Sequence, residues 1–162
     1  MKMPNIVLLS LCIFSSGIAQ QLLPSRPVAT YSIVAMDETT RELGVAVQSH
    51  WFSVGSVVPW AKAGVGAVAT QSFIKVDYGP DGLRMMESGM TATKALEILI
   101  SQDDGEAVRQ IGMIDFNGNV TAHAGKRCIE HAGHIIGKNY SVQANMMAKS
   151  TVPKAMANAF DN

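Results

Sequence analysis

From Ala29 to about Gln71 the apolar residues of this chain fall in short runs separated by polar turns, not in long stripes. Thr30–Met36 and Leu43–Ser49 are two such runs, divided by the polar segment Asp37-Glu38-Thr39-Thr40-Arg41. That layout predicts a β-hairpin. In the second run Val45 and Val47 alternate with Ala46 and Gln48, which gives a strand one bulky face and one smaller face. Folding the hairpin about Thr39 sets Thr30 opposite about Gln48, so Ser49 and His50 become its spatial neighbours. Trp51–Ser56 reads as a loop hinged at Gly55. Two further strands follow, Val57–Lys62 and Gly64–Thr70. The glycines and alanines of the last suggest that something packs closely on it.

The period then changes. Tyr78-Gly79-Pro80-Asp81 opens a helix with Pro80 at the first helical position, and that helix runs to about Ser88 and stops at Gly89. Thr91 caps a second helix whose apolar stripe is Ala92, Ala95, Leu96, Leu99 and Ile100. Arg109–Asp115 and Asn119–Ala124 form a second hairpin around Asn117-Gly118, a strong turn dipeptide. Gly125–Tyr140 reads as irregular, Ser141–Ala144 as a short strand, and Val152–Phe160 as a helix. Strands in hairpins followed by paired helices indicate an α+β fold, with layered sheets and helices outside. Strands and helices do not alternate, which disfavours a doubly wound sheet.

The first residues stand apart from this pattern. Lys2, an apolar run Ile6–Ile13 too short to span a bilayer, and small residues up to Ala19 predict a signal peptide at residues 1–19. Residues 20–29, with Pro24 and Pro27, read as a linker or pro-segment, and residues 30–162 as one domain. The expected location is secreted or periplasmic, with no membrane attachment after signal cleavage. Losing the signal removes Cys12 and leaves Cys128 alone, so packing must hold the domain.

Composition narrows the function. Apolar residues make up 48% of the chain and charged residues 16%. Lys plus Arg equals Asp plus Glu, at 13 each, and no basic stripe occurs, which argues against nucleic acid as a partner. Gly64-Val65-Gly66 is no dinucleotide fingerprint, because the third glycine and the acidic residue in register are missing. No cofactor is expected.

Three groups could carry chemistry. Thr30 at a strand start, with Lys62 on a nearby strand, could be a threonine nucleophile. A threonine hydroxyl needs a base, and a free α-amine on the same residue, of pKa about 7.7–8.0, can serve. That demands a cut between Ala29 and Thr30. The plainer alternative is a first strand residue and a solvated edge lysine. His123, Cys128, His131 and His134 have donor types suited to zinc, against a reading as ordinary loop residues. Ser32 or Ser49 with His50 or His123 is a weaker serine nucleophile, because no Gly-x-Ser-x-Gly elbow is present.

Longer words of the sequence go further. Thr30-Tyr31-Ser32-Ile33-Val34-Ala35, the run from Val54 through Val58-Pro59-Trp60-Ala61-Lys62 to Thr70-Gln71, Tyr78-Gly79-Pro80-Asp81-Gly82-Leu83, Ala122-His123-Ala124-Gly125 and Tyr140–Asn145 resemble the domain-of-unknown-function 1028 family. The resemblance covers the chain from about Thr30 onward. It implies an N-terminal nucleophile (Ntn) hydrolase-like fold, an α-β-β-α layered sandwich, and hydrolysis of an amide in a small-molecule or peptide substrate. It sets Thr30 at the nucleophile position and Lys62 where a proteasome-like lysine would stand. The proteasome's acidic partner is unmatched, with Ala46 at the corresponding place. Ser49, His50, Thr70 and Gln71 are then the expected substrate-binding residues. The rival expectation is a non-catalytic domain that binds a small ligand or cell-wall fragment on the same scaffold. Members of the family continue with further strands past the position that Asn162 occupies. The resemblance therefore implies a sheet truncated at its C-terminal side, whose exposed edge invites a homo-oligomer.

Overall fold

Alternation of side chains along extended strands builds two faces, and the chain uses both. The structure, a computed structural model, describes residues 29–162; the expected signal peptide, and the linker apart from Ala29, lie outside the described residues. Eight strands and three α-helices are described. They are β1 (Thr30–Met36), β2 (Leu43–Ser49), β3 (Pro59–Lys62), β4 (Gly66–Ser72), α1 (Tyr78–Glu87), α2 (Ala92–Ser101), β5 (Arg109–Asp115), β6 (Val120–Ala124), β7 (Gly133–Gly137), β8 (Tyr140–Asn145) and α3 (Val152–Asp161). The strands form two antiparallel four-stranded sheets, ordered β2-β1-β8-β7 and β3-β4-β5-β6. The sheets face each other. Helices α1 and α2 cover the outer side of the second sheet, and α3 covers β7 and β8 on the outer side of the first. The fold is therefore mixed α+β.

The expected hairpin forms, with its register moved by one residue. Thr30 pairs with Ser49, and Tyr31 with Gln48. Six residues, 37–42, separate the strands, so the fold axis falls between Thr39 and Thr40 rather than on Thr39. A one-residue slip exchanges faces. The observed register therefore sets Ser49, not Gln48, beside Thr30 on the buried side. Strand β7 lies in the stretch expected to be irregular, and it is held by pairing with β8.

The outer core is hydrocarbon. Val68, Ile111 and Met113 of the second sheet meet Leu83, Met86, Leu96 and Leu99 of α1 and α2. Gly79 lets α1 sit against the Trp60 ring, where any Cβ would collide. Thr91 caps α2 by accepting the Lys94 N–H at 3.2 Å. Asp115 ties that helix to the second hairpin. Its buried carboxylate accepts the N–H groups of Ala92 (3.0 Å), Asn117 (2.9 Å) and Asn119 (3.1 Å).

Between the sheets the core changes character along the strands. Its hairpin end is apolar, built from Val34, Met36, Ala67 and Ile114. Its other end is made of buried polar side chains, Thr30, Ser32, Gln71, Gln110, Gln143 and Asn145. Every buried polar group needs a partner. Ser32 Oγ donates to Gln143 Oε1 at 2.8 Å, and Gln143 Nε2 donates to Ser141 Oγ at 2.5 Å. Gln143 fits because Gly112 lies across from it. A Cβ on Gly112 would collide with the Gln143 carboxamide. Gly112→Ala should therefore lower unfolding free energy by about 2 kcal/mol or more, through overpacking and broken hydrogen bonds. Equilibrium urea denaturation measures it; a change under about 0.5 kcal/mol would show that Gln143 is not wedged there.

Candidate functional site

The polar end of the inter-sheet layer opens into a cavity of about 490 Å³. Thr30, Ser49, Gln71 and Asn145 line its floor, with His50 and Ser72 beside them. Thr30 lies between its ladder partners, Ser49 on β2 and Asn145 on β8, so the three side chains form a row at one end of the first sheet. Gln71 and Gln110 form the facing row on the second sheet. Trp51, Val54, Val58, Phe73, Ile74 and Ile129 make the walls. Trp51 and Phe73 are more than half exposed, at 68% and 54%. Among the described residues no Lys, Arg, Asp or Glu lines the space.

Thr30 is 5% exposed, and its hydroxyl is oriented. Thr30 Oγ1 lies 2.8 Å from Ser49 Oγ, which also accepts the Trp51 N–H at 3.1 Å. Ala29 runs along the same edge. Its carbonyl oxygen accepts the backbone N–H of His50 at 3.3 Å, and His50 Nδ1 stands 3.3 Å from Ala29 N and 3.4 Å from Ala29 O. The peptide carbonyl ahead of Thr30 is therefore already held by a donor.

Behind the floor stands Gln110, fully buried. Its Nε2 crosses between the sheets and donates to Gly133 O (3.1 Å) and Ala144 O (3.0 Å). Carbonyls only accept, so the two of them fix which way the amide faces. Gln110 Oε1 then accepts from both Gln71 Nε2 (2.7 Å) and Asn145 Nδ2 (2.9 Å). With their nitrogens so committed, Gln71 Oε1 and Asn145 Oδ1 are left without a partner. Such a vacancy costs about 1–3 kcal/mol per group. Strain gathers here as well. Ser72 and Met146, the residues that follow Gln71 and Asn145, both have left-handed backbone, with φ of 70° and 57°.

Four of the six residues expected from sequence meet at this cavity: Thr30, Ser49, His50 and Gln71. Thr70 does not. It precedes Gln71 on one strand, so it faces the helices, and its hydroxyl donates to Lys75 O at 3.3 Å. Lys62 does not either. Strand β3 runs antiparallel to β4, pairing Pro59 with Ala69 and Lys62 with Gly66. The lysine thus sits roughly 10 Å beyond Pro59, at the far end of the sheet. There it forms a half-exposed ion pair with Glu87 of α1 at 2.5 Å. Ala46 lies on the outer face of its sheet, so an acid at that position would not reach Thr30 either. Asn145 and Gln110 were not foreseen. The signal was present as polar residues at alternate positions, Ser141, Gln143 and Asn145, in a strand that is buried throughout.

The other sequence candidates disperse. No group of three His, Cys, Asp or Glu among the described residues is placed to hold a metal. His123 Nε2 instead contacts Glu106, and Cys128 Sγ donates to Arg109 O. Ser32 is spent on Gln143.

The comparisons with known proteins fit this architecture. The sequence model of the family of unknown function DUF1028 matches residues 30–162. The chain belongs to the DUF1028 family. The crystal structure of the DUF1028 protein SPO2555 from Silicibacter pomeroyi is similar to it, with a TM-score of 0.78 and 28% sequence identity. The match covers 82% of this chain and 61% of that one, so this DUF1028 chain spans under two thirds of that relative's length. No curated protein matches it. No helix among the described residues is long and apolar enough to cross a membrane.

The cavity wall has its own anchor. Arg109 Nη1 donates to Phe73 O at 2.7 Å, while its Nε bonds Asp103 Oδ2 at 2.8 Å. Lys75, two residues past Phe73, also reaches Asp103, at 3.8 Å. The Arg109 hydrogen bond, with help from the Gly105 N–H and Tyr78, holds the Asp103 carboxyl down at about 2, below its usual 3.8. A carboxylate whose pKa is lower folded than unfolded stabilises the fold above its unfolded value, and that stability is lost as pH falls. Thermal stability should thus drop between about pH 4 and pH 2, and Asp103→Asn should flatten that part of the profile. Parallel wild-type and variant curves across that window would refute the linkage.

Proposed function

We propose that this DUF1028 domain is an Ntn-type amide hydrolase whose nucleophile is Thr30. The observation that carries the reading is the oriented Thr30 hydroxyl on the floor of a cavity, directly behind a peptide carbonyl that already accepts a hydrogen bond from His50 N–H. Two facing sheets with helices on their outer sides match the layer order of Ntn hydrolases, and the family match begins at Thr30.

In this reading the chain first cuts itself. Thr30 Oγ attacks the Ala29 carbonyl carbon, the hydroxyl proton passes to the departing amide nitrogen, and the resulting ester is hydrolysed by water. The products are an Ala29 carboxylate and a free Thr30 α-amine. That amine then serves as base for the same hydroxyl. Ser49 orients the hydroxyl, as it does in the uncut chain. His50 N–H loses its Ala29 partner in the cut and becomes a free donor where a substrate's carbonyl oxygen would arrive. Gln71 and Asn145 are not oxyanion donors, because both amide nitrogens serve Gln110. We place the protein outside the cytoplasm, exported through residues 1–19, and infer that copies associate through an open sheet edge.

A binding domain is the second reading. The separation of Lys62 from Thr30 favours it, since among the described residues no charged side chain stands by the hydroxyl. Mature-protein mass separates the two. Hydrolase chemistry expects a chain that begins at Thr30, lost in Thr30→Ala. A purified native chain that still carries Ala29 would overturn it. His50→Pro removes the backbone donor and should leave the chain uncut, whereas His50→Ala keeps that donor and should still be cut. Equal processing of both variants would dismiss the donor role.

A further inference from the structure

Among the described residues the cavity floor carries two unpartnered amide oxygens and no charged side chain, and that combination selects a ligand. Gln110 is pinned by Gly133 O and Ala144 O, so Gln71 and Asn145 must both turn their nitrogens towards it. Their oxygens, Gln71 Oε1 and Asn145 Oδ1, are then left over, beside the Ser72 hydroxyl, which can donate as well as accept. Both residues line the cavity, and both are at least 99% buried. Both oxygens are closed off from solvent, so a ligand reaches them only by a turn about the last torsion of the side chain, which is soft. A ligand N–H is the donor these oxygens lack.

The walls specify the rest. Apart from the rim, they are apolar: Val54, Val58, Ile74 and Ile129, with the Trp51 and Phe73 rings at the mouth. A charged ligand would lose its hydration there and find no charged side chain among the described residues; the one charge the cut chain adds is the Thr30 α-amine, which must be neutral to act as base. A carboxylate would also set its acceptor oxygens against two more acceptors. We infer that the Thr30 cavity takes a neutral carboxamide carrying an apolar aromatic or aliphatic group, its N–H bound by Gln71 and Asn145. This rests on the reading of that cavity as the working site. It also accounts for product release. Cutting such an amide converts a fitting donor into an anion that the same two oxygens repel.

The test is calorimetric titration of the wild-type and Thr30→Ala chains with phenylacetamide, phenylacetate and 2-phenylethylamine. Phenylacetamide should bind at least tenfold tighter than either of the others to both chains. Gln71→Met, which keeps length and removes the acceptor, should bring amide and acid within about threefold. Acid or amine binding as tightly as amide overturns the inference. So does the absence of measurable amide binding to both chains, or an undiminished preference in both Gln71→Met and Asn145→Leu. The wild-type titration stands even if a variant fails to fold. Preferred amide binding with no amide hydrolysed sinks the hydrolase reading and leaves this one standing. Thr30-dependent hydrolysis confined to charged amides does the reverse.

Discussion

The structure turns on one carboxamide. Gln110 projects from the second sheet and donates to two carbonyls of the first, Gly133 O and Ala144 O, at the polar end of a layer whose hairpin end is hydrocarbon. Hydrocarbon contacts are indifferent to direction; these two bonds are not. They fix how far β5 can slide against β7 and β8. They also fix the facing of the amides beside Gln110, and so the chemical face shown to the cavity. Stabilisation and site architecture are therefore the same set of bonds. A change at Gln110 would be felt first as a shift of the sheets and then as a site with its donors and acceptors exchanged.

Much of this was legible in the sequence, and the legible part follows from period. Thr30–Met36 and Leu43–Ser49 alternate cleanly, and Thr91 before an apolar stripe announces α2. The nearness of Thr30 to Ser49 and His50 follows from hairpin geometry alone. Long-range pairing was not legible. Strand β7, Gly-His-Ile-Ile-Gly, has glycines at both ends and gains its form from β8, a partner that local propensity does not reveal. Lys62 failed for a related reason. Its strand lies close to Thr30 at one end only, and sequence does not say which end. Thr70 and Gln71 could not both face the cavity, and alternation alone was enough to say so.

The strained residues share this logic. Ser72 ends β4 and Met146 follows β8, each directly after a cavity-lining amide of the two opposing sheets. Each turns the chain sharply away, so a strand end closes the floor while the following loop rises as wall. The Arg109–Asp103 pair then holds one of those loops by the Phe73 carbonyl. One wall of the cavity is thus framed by backbone that cannot relax without giving up the Arg109 hydrogen bond to the Phe73 carbonyl.

A layer that is half carboxamide also leaves a thermal signature. Exposing apolar surface on unfolding raises the heat capacity, by about 0.45 cal/mol/K per Å², while exposing polar surface lowers it by about 0.26. The row from Ser32 to Asn145 therefore subtracts from a quantity to which Val34, Met36 and Ile114 add. Compared with a sandwich of equal size filled only with hydrocarbon, this one has a shallower stability curve. The stability of its folded state then changes less between a cold environment and a warm one.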